Sequence, residues 1–298
     1  MKVLLIGSSG ALGNPLKESL QSLFPAWKIY GLSRAKGDDV ECDLTNYSSI
    51  QNTLRSLKPD IILYTAAFWA GLDDKEESFN LNLHPILNVL HLMSDVKKFI
   101  FISSDAVITK GDTSRLTPLN YPHNTYGAAK FISEELVKSI CEIKKVNFTI
   151  IRPSHFVSSY EVFSPGKSHV ITNLTHKIFA MKKLVGFDEL SNTETMSFTC
   201  VYDLIECITS SLTNNLIINK TIYVSNPQKV NLNYVLALIY KYSNKDEHNE
   251  NDLNIEFFLN KYKPIHKSKE KFSNLFTPIN GYKPIENIVQ SFIKDKYQ

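Results

Sequence analysis

The chain of 298 residues has few cysteines, no long apolar run and no excess of one charge sign. Its four cysteines, Cys42, Cys141, Cys200 and Cys207, form neither a Cys-x-x-Cys pair nor a regular framework. That excludes a disulfide-stapled scaffold and predicts reduced thiols in a cytoplasmic protein. Near the start only Val3 to Ile6 are continuously apolar before Gly7 and two serines, too short for the core of an export signal. The longest apolar stretch, residues 61–72, is broken by Thr65 and Gly71 and falls short of the ~18–20 residues that span a bilayer. No membrane partner is expected. Lysine and arginine total 33 against 30 acidic residues, a net charge of +3. A nucleic-acid-binding domain would be strongly basic, so nucleic acid is not an expected partner either. No His-Glu-x-x-His pattern or cysteine cluster is present, and no metal is expected.

What is present is an ordinary globular composition, 43% hydrophobic and 21% charged. At about 100–200 residues per domain, the length fits one large domain or two coupled ones. Short apolar runs alternate with helical patterns through the first half. Strands are predicted at 2–6, 28–32, 60–65, 99–103 and 148–151, and helices at 12–24, 50–57, 81–93 and 126–143. Continuous apolar strands separated by helices indicate a parallel sheet covered on both faces, hence a doubly wound α/β fold. Further on, 203–212 and 232–242 read as helices and 221–224 as a strand, while 243–254 is nearly all polar and reads as a loop. No repeat and no Gly/Ser- or Pro-rich linker separates the halves, so a second unit should pack closely on the first.

The first strand runs into Gly7-Ser8-Ser9-Gly10-Ala11-Leu12-Gly13. A Gly-x-x-Gly-x-x-Gly loop at a strand-to-helix junction suits a dinucleotide: Gly7 for a tight turn, Gly10 for approach of the diphosphate, Gly13 for close helix packing. The helix N-terminus offers N–H groups and a partial positive charge. The second strand ends in Ser33-Arg34. An NAD-specific site carries an acid there, whereas a guanidinium pairs with a 2′-phosphate, so NADP is favoured, with NAD as the alternative if Asp38 or Asp39 reaches the ribose.

Tyr126-Gly127-Ala128-Ala129-Lys130 places Tyr and Lys one helical turn apart on one face. A tyrosine with a pKa near ~10 is a poor base at neutral pH, and a nearby ammonium would lower that value. The fourth long strand ends in Ser103-Ser104, where a parallel sheet binds ligands.

Glycine loop, strand-end serine and Tyr-x-x-x-Lys, in this order, resemble the short-chain dehydrogenase/reductase superfamily, in particular its extended branch, the NAD-dependent epimerase/dehydratase family. The resemblance is strong over about residues 1–155. It implies a Rossmann domain over 1–165 to which 198–228 returns, and a smaller substrate-binding region over 166–197 and 229–298. It also implies a catalytic set: Ser104 (Ser103 less so) to bind the reacting oxygen, Tyr126 as acid/base, and Lys130 on the nicotinamide ribose. Cofactor contacts are implied for Gly7, Ser9, Gly10, Ala11, Leu12, Gly13, Ser33, Arg34, Asp43, Leu44, Ala66, Ala67, Asn82, Tyr126, Lys130 and Pro153.

The sequence departs from the family pattern at two places by the substrate pocket. Val107-Ile108-Thr109 stands for the usual Val-Tyr-Gly, and His155-Phe156-Val157-Ser158-Ser159 for Asn-Val-Tyr-Gly-Pro. Dehydratases of the family carry Asp-Glu after the hydroxyl residue; here Asp105 is followed by Ala106, so a 4,6-dehydratase is not expected. Trp69, Asp105 and His155 are candidate substrate contacts. A packing role competes for Trp69 and His155, and the lysine-rich stretch 261–271 reads as a solvated basic face. The expected activity is NADP-dependent reduction or epimerisation of a nucleotide-activated sugar. The alternatives are a reductase of a non-sugar carbonyl and a non-catalytic NADP sensor. The family also makes a homodimer possible.

Overall fold

In the computed structural model, residues 1–34, 39–68, 76–107, 124–166, 168–181, 185, 190, 195–243, 255–266 and 274–297 are described. The strands in chain order are β1 (Lys2–Ile6), β2 (Lys28–Ser33), β3 (Val40–Glu41), β4 (Ile61–Tyr64), β5 (Lys98–Ile102), β6 (Asn147–Pro153), β7 (His155–Val157), β8 (Thr195–Cys200), β9 (Lys220–Val224), β10 (Gln228–Asn231) and β11 (Ile265–His266). The helices are α1 (Gly13–Leu23), α2 (Tyr47–Leu57), α3 (Glu76–Leu92), α4 (Thr125–Lys144), α5 (Val170–Phe179), α6 (Val201–Thr213), α7 (Leu232–Tyr242), α8 (Ile255–Lys261) and α9 (Ile285–Tyr297).

Seven strands form one parallel sheet in the order β3-β2-β1-β4-β5-β6-β9. β1, β4 and β5 are buried on both faces, which is why they read as unbroken apolar runs rather than alternating ones. One face packs Ile50, Ile86, Val89 and Val137 from α2, α3 and α4; the other packs Leu16 and Leu20 of α1 with Leu204 and Ile208 of α6. This is the doubly wound fold that the alternating pattern predicts. The chain leaves β1 toward β2 and then returns to β4 on the other side, so the strand order reverses at the carboxyl end of β1. That crevice is where open α/β sheets bind ligands.

A second sheet, in the order β11-β10-β8-β7, begins at His155, within the 1–165 segment. Its core joins Val157 and Phe198 to Ile171, Leu236, Val289 and Phe292 of α5, α7 and α9. The polar segment 243–254 lies outside the described residues from 244 onward. Among the described residues no helix is long and apolar enough to cross a membrane. The four cysteines are unpaired and buried.

The junction of β1 and α1 depends on two glycines. Gly7 has φ +91°, and a Cβ there would lie 2.7 Å from the Ala66 nitrogen. A Cβ on Gly13 would fall 2.0 Å from the Gly7 carbonyl oxygen. Backbone cannot yield there as a side chain can, and overpacking costs ~1–3 kcal/mol or more. Gly10 is different: its Cβ would meet only the Gly7 oxygen, at 3.3 Å. Thermal denaturation of Gly13→Ala should therefore show a Tm lower by several degrees, and Gly10→Ala less than half that loss. Equal losses would contradict this account of the junction.

Candidate active site

Five strand ends, those of β1, β2, β4, β5 and β6, supply the site. After β1, the Gly7 and Ser8 N–H groups donate to the Leu32 carbonyl at 2.8 and 3.3 Å, which fixes the loop against β2. The Thr65 hydroxyl, at the end of β4, donates to the Ile6 carbonyl at 2.9 Å. The N-cap of α1 is Leu12, which has no side-chain oxygen to bond the first N–H groups. Ser9 and Gly10 are exposed at the tip, Ala11 is half-buried and Leu12 is buried. This cradle fits a diphosphate: glycine is required where backbone crowds backbone, and the tip is open where an anion would approach.

At the end of β2, Ser33 is buried and Arg34 exposed. Asp43 is exposed, and its carboxylate accepts from the Thr45 N–H and hydroxyl at 2.9 and 2.8 Å. Those bonds, with a smaller contribution from the charge of Arg34, hold it below the usual carboxylate range. Asp39 has partners of its own: its Oδ2 accepts from the Gly31 N–H at 2.7 Å and pairs with Lys17 at 3.1 Å. Asp38 lies outside the described residues. Ala66 and Ala67 line the end of β4. Asn82 grips this segment through its whole amide, accepting from the Phe68 N–H at 2.9 Å and donating to the Phe68 and Ser78 carbonyls, each at 2.7 Å. Asn82 thus acts on the site through the backbone that it holds. Leu44 is half-buried, and Pro153 is buried at the end of β6.

Helix α4 brings in the tyrosine and lysine. Asn124 caps it, accepting from the Gly127 N–H at 2.6 Å, and its buried face runs Gly127, Lys130, Glu134, Val137, Cys141 at alternating three- and four-residue steps. Tyr126 is half-buried and its phenol is hydrogen-bonded to the Ser104 hydroxyl. Lys130 is buried, donates to the Ile102 carbonyl at 2.9 Å and lies 5.9 Å from the centre of the Tyr126 ring. The expected set of Ser104, Tyr126 and Lys130 therefore converges at the carboxyl end of β5.

The electrostatics differ from the simple expectation that Lys130 depresses the tyrosine. Burial, reinforced by the Asp105 carboxylate, pushes the Tyr126 phenol above its ordinary value, against the pull of the Ser104 hydrogen bond. Burial also drives the Lys130 ammonium down to about 7, with Glu134 opposing. Asp105 follows directly on Ser104, whose hydroxyl lies 3.4 Å from Asp105 Oδ1. Its carboxyl is raised by burial, with the exposed His155 pulling the other way.

The profile of the NAD dependent epimerase/dehydratase family matches residues 3–224. The chain belongs to this family. No curated protein matches the chain. Among solved structures it is similar to the UDP-glucose 4-epimerase of Thermotoga maritima with UDP-glucose, at 15% identity and TM-score 0.72, covering 99% of this chain and 98% of that one. It is also similar to the dTDP-glucose 4,6-dehydratase of Bacillus anthracis in complex with NAD, at 16% identity and TM-score 0.71 over 99% and 96%. A third is the GDP-D-glycero-L-gluco-heptose synthase of Campylobacter jejuni in the presence of NADPH, at 19% identity and TM-score 0.66 over 81% and 84%. At these identities the likeness is one of fold.

Within that family frame, the two serines part. Ser103 is buried and donates to Glu134 Oε1 at 2.5 Å, so its hydroxyl is spent inside the protein. Ser104 keeps the face toward Tyr126. Trp69 lies outside the described residues, and His155 sits on β7 with its ring 6.1 Å from that of Phe198. Among the described residues no group of three or more His, Cys, Asp or Glu could hold a metal ion. Sequence reasoning did not find Ser158, whose hydroxyl donates to the Ala11 carbonyl at 2.6 Å and ties the glycine loop to the chain after β7. It also did not find the buried Glu134–Arg152 pair beneath Lys130.

Separate stability and function are predicted for the serines. Ser103→Ala removes a hydrogen bond to a buried carboxylate, a loss of ~1.5–3 kcal/mol, and should lower Tm by several degrees. Ser104→Ala should leave Tm within about 2 °C. Calorimetry that found the reverse order would contradict this division of roles.

Proposed function

We propose that this family member reduces a keto group on a nucleotide-activated sugar with NADPH. The observation that carries the reading is the Ser104–Tyr126 hydrogen bond beside Lys130, at the strand ends that face the glycine loop. Bound NADPH would supply the hydride. Ser104 and Tyr126 would both donate to the substrate carbonyl oxygen. Tyr126 would give its proton to that oxygen, and the Lys130 cation would stabilise the phenolate left behind. A phenol held above its ordinary value is protonated at neutral pH, as an acid for reduction must be.

NADPH over NADH is favoured by Arg34, exposed at the end of β2, and by the commitment of Asp39 to Gly31 and Lys17. The nucleotide sugar is favoured by the similar structures, whose names refer to UDP-, dTDP- and GDP-linked sugars. Its binding surface would be the region 166–197 with 229–298. Elimination of water is disfavoured because Ala106 provides no base beside Asp105. Four buried free thiols fit a reducing, cytoplasmic setting.

The test is incubation with NADPH and a panel of nucleotide-linked keto sugars, followed by loss of NADPH fluorescence and product mass. The expected product carries two added hydrogens; loss of one water would contradict the reading. Tyr126→Phe should lower kcat by ~10²–10⁴-fold while NADPH still binds. A variant that keeps more than about a tenth of the rate removes Tyr126 from the acid role. By calorimetry, Arg34→Ala should weaken NADPH binding by ~10–100-fold, the equivalent of a charge-assisted bond, and leave NADH unchanged. Equal affinities of the unaltered protein for both dinucleotides would remove Arg34 from the site.

A further inference from the structure

Directly beneath the tyrosine–lysine pair lies a charged network that the reaction as described does not use. Arg152, near the carboxyl end of β6, and Glu134, on the buried face of α4, are 2% and 0% exposed in their side chains. They pair through both arms: Arg152 Nε to Glu134 Oε1 at 2.8 Å and Arg152 Nη2 to Oε2 at 2.5 Å. Ser103, at the end of β5, donates to the same Oε1, and Arg152 Nη1 donates to the Tyr223 hydroxyl on β9. The network therefore joins α4 to three neighbouring strands. Glu134 is one helical turn from Lys130 on the same face of α4.

We infer that Glu134 and Arg152 are positioning residues for Lys130. Arg152 locks the carboxylate in place, and the carboxylate holds the lysine in its cationic form beside Tyr126. A buried ammonium is disfavoured unless an anion stands near it. Burial drives Lys130 down and Glu134 is the charge that opposes it. The two-armed guanidinium and the Ser103 hydroxyl fix the position of the carboxylate.

Among the described residues, the other groups around Lys130 are these. On its own helix, Tyr126 is a phenol. After β5, the Asp105 carboxyl acts on the Tyr126 phenol and is itself raised by burial toward the neutral form. On β6 and β9, Arg152 and Tyr223 bring no anion. On β4, Tyr64 is a buried phenol beyond the Phe101 ring, over which Lys130 lies at 4.8 Å. On α3, none of the buried side chains is ionisable.

This inference deepens the proposed function, since the worth of a cationic Lys130 rests on Tyr126 as the proton donor. Its test does not need turnover. Protein containing ¹³Cε-lysine is titrated by NMR, with the Lys130 signal assigned by its loss in Lys130→Met. In the unaltered protein the midpoint should lie near neutrality, and in Glu134→Gln it should fall by about one pH unit or more. Because Glu134→Gln orphans a buried guanidinium, Glu134→Gln/Arg152→Met is titrated alongside it, with both charges removed together. A lowered midpoint in folded Glu134→Gln supports the inference, and if that variant does not fold the double variant decides in its place. An unchanged midpoint in the deciding variant, or failure of both to fold, overturns it and leaves the pair a purely structural one. Since the midpoint is read without substrate, a lowered midpoint in a protein that reduces no sugar would sink the proposed reaction and spare the inference.

Discussion

The bidentate pair between Arg152 and Glu134 is the contact on which the active-site geometry depends. It crosses from β6, between β5 and β9, to the buried face of α4, and it takes in Ser103 and Tyr223. Tyr126 and Lys130 stand on the same helix, within two turns of Glu134. A shift of α4 would move both relative to Ser104, which is fixed by the end of β5. Breaking one partner of such a buried pair costs ~3–5 kcal/mol, whereas replacing both by apolar groups is often neutral. The pair therefore specifies where α4 sits more than it adds net stability.

The other fixed reference is the glycine loop. Its backbone is tied to β2 through Leu32 and to β4 through Thr65, and Ser158 fastens it to the segment that opens the second sheet. Two anchored bodies thus face each other across the strand ends: the glycine loop, and the helix that carries Tyr126 and Lys130. The proposed proton and hydride exchange would take place at an oxygen-bearing carbon between them.

Much of this was legible in the sequence. Unbroken apolar runs gave away the strands of the parallel sheet because burial on both faces removes polar positions. The glycines at 7 and 13 were legible because backbone contact leaves no room for Cβ. The short strands at 40–41, 155–157, 228–231 and 265–266 were not, since two to four residues carry no periodicity. Helix α9 is a different case: Ile285, Ile288, Val289, Phe292 and Ile293 have clear helical spacing, and the signal was there to be used. The same holds for Glu134, whose step of four from Lys130 places a carboxylate on the buried face, and for Arg152, an ion inside an apolar strand that must find a partner. What no spacing could show was that burial raises Tyr126, or that Ser103 rather than Ser104 is the structural serine. Those depend on which side chains meet across the sheet.

The proposed reaction moves hydride between a dinucleotide on the glycine loop and a sugar carbon beside Tyr126. The most direct measurement is a single turnover with NADPH carrying deuterium at the reactive carbon of the nicotinamide and a nucleotide-linked keto sugar, with the product analysed by NMR and mass. Deuterium is expected on the former carbonyl carbon of the sugar in the unaltered protein, appearing ~10²–10⁴-fold more slowly with Tyr126→Phe. A product without deuterium, formed while the labelled NADPH is bound and consumed, would contradict that reaction.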